Sequence, residues 1–98
     1  MRDVRYVVIH SPGPKWKVGR PIFEQEGIQA HLDHYRSLLT QEKLALGGPF
    51  LDGAAGGMMI TSGNLTEAEA IEFANRDPAV ICGLLTVEVR PWLVGMKS

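Results

Sequence analysis

The period of the apolar residues switches along this chain between two and about 3.6, in the order β-α-β-β-α-β, and that order constrains the fold more than any motif. Val4–His10, VRYVVIH, is rich in β-branched and aromatic residues and predicts the first strand. Val4, Tyr6, Val8 and His10 belong to one face, and Arg5, Val7 and Ile9 to the other. Both rows are apolar in the middle, which predicts a central strand covered on both sides. Leu44–Phe50 and Gly57–Ser62 predict a hairpin joined through the glycine-rich stretch Asp52–Gly57. That stretch has neither a following helix N-terminus nor a Lys-Ser/Thr pair, so it does not read as a phosphate loop. Leu84–Arg90 predicts the last strand, with Leu85, Val87 and Val89 on one face. Pro91–Ser98 reads as a tail holding Trp92 and Leu93.

The first helix is expected from about Phe23 to Gln41 or Lys43, with Gly27 weakening its first turns. Ile28, Leu32, Tyr35, Leu38, Leu39 and Glu42 recur at helical spacing, and His31 sits inside that stripe. The second helix lies within Asn64–Asn75 and opens on a capping box, Thr66 with Glu69. Ala70, Ile71, Phe73 and Ala74 supply its buried side, and Pro78 ends it near Asp77. Right-handed crossovers on this order predict an α+β, ferredoxin-like βαββαβ sandwich, with both helices on one face of an antiparallel sheet. The other face is then bare, with Tyr6, Val8, Met58 or Met59 and one row of the last strand available to cover it. An apolar face of that size rarely stays in water, so a homodimer or higher homo-oligomer is expected.

A chain of 98 residues forms a single domain, residues 1–98, with one core. A formal net charge of −1 offers no electrostatic reason to expect nucleic acid or a membrane as partner. The N-terminal stretch reads as a strand and not as a signal peptide. With Cys82 as the one cysteine no intrachain disulfide forms, and a reducing cytoplasm is the default location. Cys82 itself reads as a small buried apolar residue.

A titratable ring facing a core needs a partner or a job. For His31 the candidate partner is Asp77: helices side by side on one sheet face can bring the end of the second within reach of the first. A buried carboxylate accepting from one ring nitrogen fixes the tautomer and raises the basicity of the other, which makes a general base with its orienting group. The plain alternatives are a satisfied core histidine and a turn aspartate before proline. His34, three residues on, falls toward the polar edge beside Ser37 and Gln41, and with no third ligand at convincing spacing no metal site is expected. His10, at the end of the first strand, is either a second polar group of the pocket or a strand-end residue in water. Ser11–Pro21, SPGPKWKVGRP, is either a lid or a solvated crossing loop. Its Trp16 either caps the pocket or lies on the surface, and its Arg20 either binds a substrate anion or is one solvated charge among several.

The pattern resembles the YciI-like (YCII-related) family. The matching pieces are YVVIH, Arg20–Pro21, HLDHYRSLLTQEKLALGGPFLDG from His31, GGMMI, and TEAEAIEFANRDPAVICGLLTVEVRPW with its Asp77–Pro78. The resemblance covers nearly the whole chain, and the loop Ser11–Pro21 departs from the shorter family members. It implies a dimeric α+β barrel built through the sheets, and an active-site His–Asp pair matched here by His31 and Asp77. One branch of the family removes HCl from a chlorinated hydroxyquinol without a cofactor. The expectation is therefore a small lyase or isomerase, with no cofactor and no metal, acting on a small organic ligand, aromatic or lactone. His31 and Asp77 would be catalytic, and His10, Arg20 and Trp16 would bind substrate. The alternative is a non-catalytic ligand-binding or accessory dimer.

Overall fold

The doubly apolar first strand, β1 (Val4–Pro12), takes the centre of a four-stranded sheet in the computed structural model. With β2 (Leu44–Pro49), β3 (Gly57–Thr61) and β4 (Leu85–Leu93) the order is β2-β3-β1-β4, and every pair is antiparallel. The structure describes residues 2–53 and 55–98. Met1, in the N-terminal stretch, and Ala54, in the glycine-rich stretch, lie outside the described residues. β4 runs further than its alternation suggests: Pro91, Trp92 and Leu93 pair with Tyr6, Arg5 and Val4, so the tail begins only after Leu93. Proline is tolerated there because β4 is an edge strand, where a missing N–H need not break a ladder.

The expected first helix divides in two. Ile22–Glu24 forms a 3₁₀ turn, Gln25 is extended, and α1 covers Ile28–Thr40. Gly27 makes the division: its φ of +95° is a left-handed conformation that L side chains rarely adopt. α2 (Glu67–Asn75) begins with the reciprocal Thr66–Glu69 capping box. A short helix absent from the sequence-based expectation, α3 (Pro78–Ile81), follows at once. Asp77 caps it and Pro78 fills its first turn, where a missing N–H costs nothing.

The helices cover the face that carries Val8. Val8 and Met59 pack with Tyr35 and Leu38 of α1 and Ala74 of α2, flanked by Phe73, Val87 and Val89. Ile28, Ala79, Leu84 and Leu85 form a second cluster. The expected bare row is thereby corrected. Tyr6, Val8 and Met59 are buried, while the uncovered face carries Val7, Ile9, Met58 and Ile60 on β1 and β3, and Thr86, Glu88 and Arg90 on β4. Period-two alternation cannot tell two apolar rows apart; packing under the helices chooses. The stripe of α1 is also narrower than expected, since Leu39 and Glu42 are exposed. Cys82, the C-cap of α3, is exposed rather than buried. Among the described residues no helix is long and apolar enough to cross a membrane.

Candidate active site

α1 presents His31 and Tyr35 one turn apart on its buried face. Asp77 reaches them from the N-cap of α3, where its Oδ1 accepts the Ala79 backbone N–H at 2.9 Å. That bond orients the carboxylate, and Oδ2 lies 2.6 Å from His31 Nδ1. A carboxylate only accepts, so Nδ1 carries a proton, and in the neutral ring the lone pair is on His31 Nε2. No group among the described residues hydrogen-bonds Nε2, and the ring lines a cavity.

Asp77 is 0% exposed. Burial alone would raise its pKa, but the hydrogen bond and charge of His31, the Ala79 N–H and the nearby His10 outweigh it and hold the carboxyl below its ordinary value. His10 is brought to the same place from β1. Its pKa is pushed down to about 4, first by burial and then by repulsion from His31, against the pull of Asp77. It is uncharged at neutral pH, so its Nε2, 3.6 Å from Asp77 Oδ2, makes no ion pair. Tyr35 Oη stands 3.2 Å from the same Nε2. Burial first, then the charge of Asp77, raise the phenol well above its ordinary value, so it keeps its proton. The His10, His31 and Tyr35 rings meet edge-on or tilted, with centroids 4.9–5.3 Å apart.

These side chains open onto a cavity of about 330 Å³ between α1, the 3₁₀ turn and the β2–β3 hairpin. Its walls are apolar or glycine: Ile22, Phe23, Leu32, Leu39, Met59 and Leu85, with Gly47, Gly48, Gly56 and Gly57. His10, His31, Tyr35 and Arg36 supply the polar lining. Gly56 is required at the back wall, since its φ is +85° and a Cβ there would stand 2.1 Å from the His10 carbonyl oxygen.

Of the five site residues expected from sequence, His31, Asp77 and His10 come together. Trp16 and Arg20 do not line the cavity: Trp16 packs against the Ile28 and Leu84 cluster, and Arg20 is exposed. The loop that carries them is bonded back along the chain. Gly13 and Lys15 donate to the Leu84 and Gly83 carbonyls at 2.8 and 2.9 Å. The buried Gln25 side chain accepts from the Lys17 N–H and donates to the Lys17 and Arg20 carbonyls. Ile22 and Phe23, just past the loop, line the cavity instead. The sequence reading placed Tyr35 only in the apolar stripe and did not single out Arg36 or Gln25. Tyr35 carries the one legible signal, its place four residues after His31 on the same helical face.

His34 is half-buried away from the dyad, stacked on Phe73 and donating from Nε2 to the Phe73 carbonyl at 2.7 Å. The ligand-type atoms of His10, His31 and Asp77 do lie within 4.8 Å of one another. Two donors on a tetrahedral zinc stand about 3.3 Å apart, however, whereas His31 and Asp77 are at hydrogen-bond separation. His10 Nδ1 has no partner, while a ligating histidine has its second nitrogen tied to an acceptor. The donor set fits a hydrogen-bonded dyad better than a metal centre.

No protein-family model matches the chain, and no curated protein matches it. Among solved structures, it is similar to 5-chloro-2-hydroxyhydroquinone dehydrochlorinase from Burkholderia phenoliruptrix AC1100, in complex with 2,5-dihydroxybenzoquinone. The TM-score is 0.66 at 22% identity, over 90% of this chain and 92% of that one. At that identity the likeness establishes the shared α+β fold.

Proposed function

We propose that this chain is a YciI-like, cofactor-independent enzyme of the lyase or isomerase type that moves a proton on a small organic substrate, aromatic or lactone. The observation that carries the reading is the 2.6 Å His31–Asp77 bond beside a mostly apolar cavity of about 330 Å³. His31 Nε2 is the general base. Asp77 holds the ring in the tautomer that leaves Nε2 unprotonated, and it stabilises the imidazolium that forms. The fold shared with a dehydrochlorinase supports the lyase side of the proposal.

The reading includes a homodimer or higher homo-oligomer packed through the bare face of Val7, Ile9, Met58 and Ile60. That face supports association because it carries apolar side chains and no helix.

The test is to assay wild type, His31→Ala and Asp77→Asn against chlorinated hydroxyquinols and unsaturated lactones. Each variant is expected to lose roughly 10²–10⁴ in rate, the range of general acid–base catalysis. Turnover that survives both changes removes the dyad from the mechanism and leaves the non-catalytic ligand-binding dimer as the better account.

A further inference from the structure

The proton transfer proposed above leaves His10 and Tyr35 without a task, yet their hydrogen bond has a direction that the surroundings decide. His10 is 2% exposed, its Nδ1 has no partner, and its Nε2 lies 3.2 Å from Tyr35 Oη and 3.6 Å from Asp77 Oδ2. A proton on Nδ1 would orphan a buried N–H and turn the bare Nε2 lone pair toward the carboxylate. A proton on Nε2 avoids both penalties: the N–H meets the negative charge and is accepted by the Tyr35 oxygen. Tyr35 is then the acceptor of that bond, and its own O–H is uncommitted, since no other acceptor among the described residues bonds it. Tyr35 lines the same cavity as His31, with ring centroids 5.2 Å apart.

We infer that Tyr35, polarised by His10, donates a hydrogen bond to a substrate oxygen on which negative charge develops. The substrate class is therefore small, enolisable carbonyl compounds and their phenolic tautomers. The inference rests on the proton transfer at His31 and gives it a direction. His31 Nε2 takes the proton from the carbon beside the carbonyl. The C–H electron pair forms the C=C bond, and the carbonyl π pair moves to oxygen. The Tyr35 O–H holds that oxyanion while Asp77 stabilises the imidazolium. In isomerisation the imidazolium returns its proton to a different carbon. In elimination the oxyanion pair re-forms the carbonyl, the enolate C=C pair shifts to make a double bond to the next carbon, the leaving anion departs from that carbon with its bonding pair, and the imidazolium gives its proton to that anion or to water. Burial and the Asp77 charge keep Tyr35 protonated for this task, and a hydroxyl that already accepts a bond donates more strongly.

The experiment needs no substrate. 4-Nitrophenol, whose phenolate is coloured, serves as the oxyanion probe, and 4-nitroanisole as its neutral control; both are titrated into wild type, Tyr35→Phe and His31→Ala. Wild type is expected to bind the phenolate in preference to the anisole. Tyr35→Phe is expected to weaken phenolate binding roughly 10-fold or more, the loss for one hydrogen bond to a charged group, and to leave the anisole unchanged. Equal binding of both probes by wild type, or an unchanged phenolate affinity in Tyr35→Phe, overturns the inference. Nitrogen-15 NMR of the histidines in wild type provides a check independent of any variant: a proton on His10 Nε2 is expected, and one on Nδ1 overturns it. Phenolate discrimination that holds while the hydroxyquinol and lactone assays show no turnover keeps Tyr35 as the donor and sinks only the catalytic reading.

Discussion

On the helix-covered face of the sheet β1 contributes Tyr6, Val8 and His10, and on the bare face the same strand contributes Val7 and Ile9. Apolar content does not separate the two rows. What differs is the company they keep. The covered face buries two histidines, an aspartate and a tyrosine in mutual contact, an arrangement costly to desolvate and strongly destabilised if one partner is removed. The bare face holds Val7, Ile9, Met58 and Ile60, with charges at its margins on Arg5 of β1 and on Glu88 and Arg90 of β4. On the proposed reading the first face serves the chemistry and the second serves association.

The largest blow to this contrast comes from opening the covered side. Asp77→Ala removes the acceptor of His31 and the cap of α3 together. It is expected to cost about 3–5 kcal/mol in urea unfolding, the range for breaking a buried pair. A loss under ~1 kcal/mol would mean that the polar cluster is not the costly element described here.

Acid acts on the same face with a smaller effect. The folded-state pKa of His10, about 4, lies below the ordinary histidine value near 6.5. Between those values the unfolded chain binds more protons, so stability is greatest above about pH 6.5 and falls as pH drops toward about 4, by on the order of 3 kcal/mol. Asp77, whose pKa is also depressed, adds a further loss as pH falls below the ordinary carboxylate value near 3.9. Urea curves at pH 7 and pH 4.5 check the first window: equal midpoints would show that His10 is not buried in its neutral form.

The smallest effect on the protomer is expected from the bare side. Val7 lies opposite Arg90, so Val7→Glu gains a partner for its new charge and is expected to shift the protomer's own folding by less than about 1 kcal/mol. Against a second copy the same charge is buried, and the mass by light scattering is expected to fall from two chains to one. A wild type that is already monomeric would leave the bare face without its proposed role.

Local periodicity carried much of this molecule. The strand and helix types, their order, the central place of β1 and the Thr66–Glu69 cap follow from patterns within a few residues of one another, because a side chain's direction along a strand or helix is set by its own backbone. For the His31–Asp77 pair the crossover order offered Asp77 as a neighbour, and the resemblance to the YciI-like family singled the pair out. Tertiary packing decided the rest. It chose Val8 over Val7 for the core, where alternation offered two similar rows. It bonded the Ser11–Pro21 loop to Gly83 and Leu84 and left Trp16 and Arg20 off the cavity. It also set Tyr35 against His10, 25 residues apart in the chain, and so gave a residue that reads as core a hydroxyl facing the site. Such choices depend on contacts between distant segments, whose energies no stretch of sequence contains by itself.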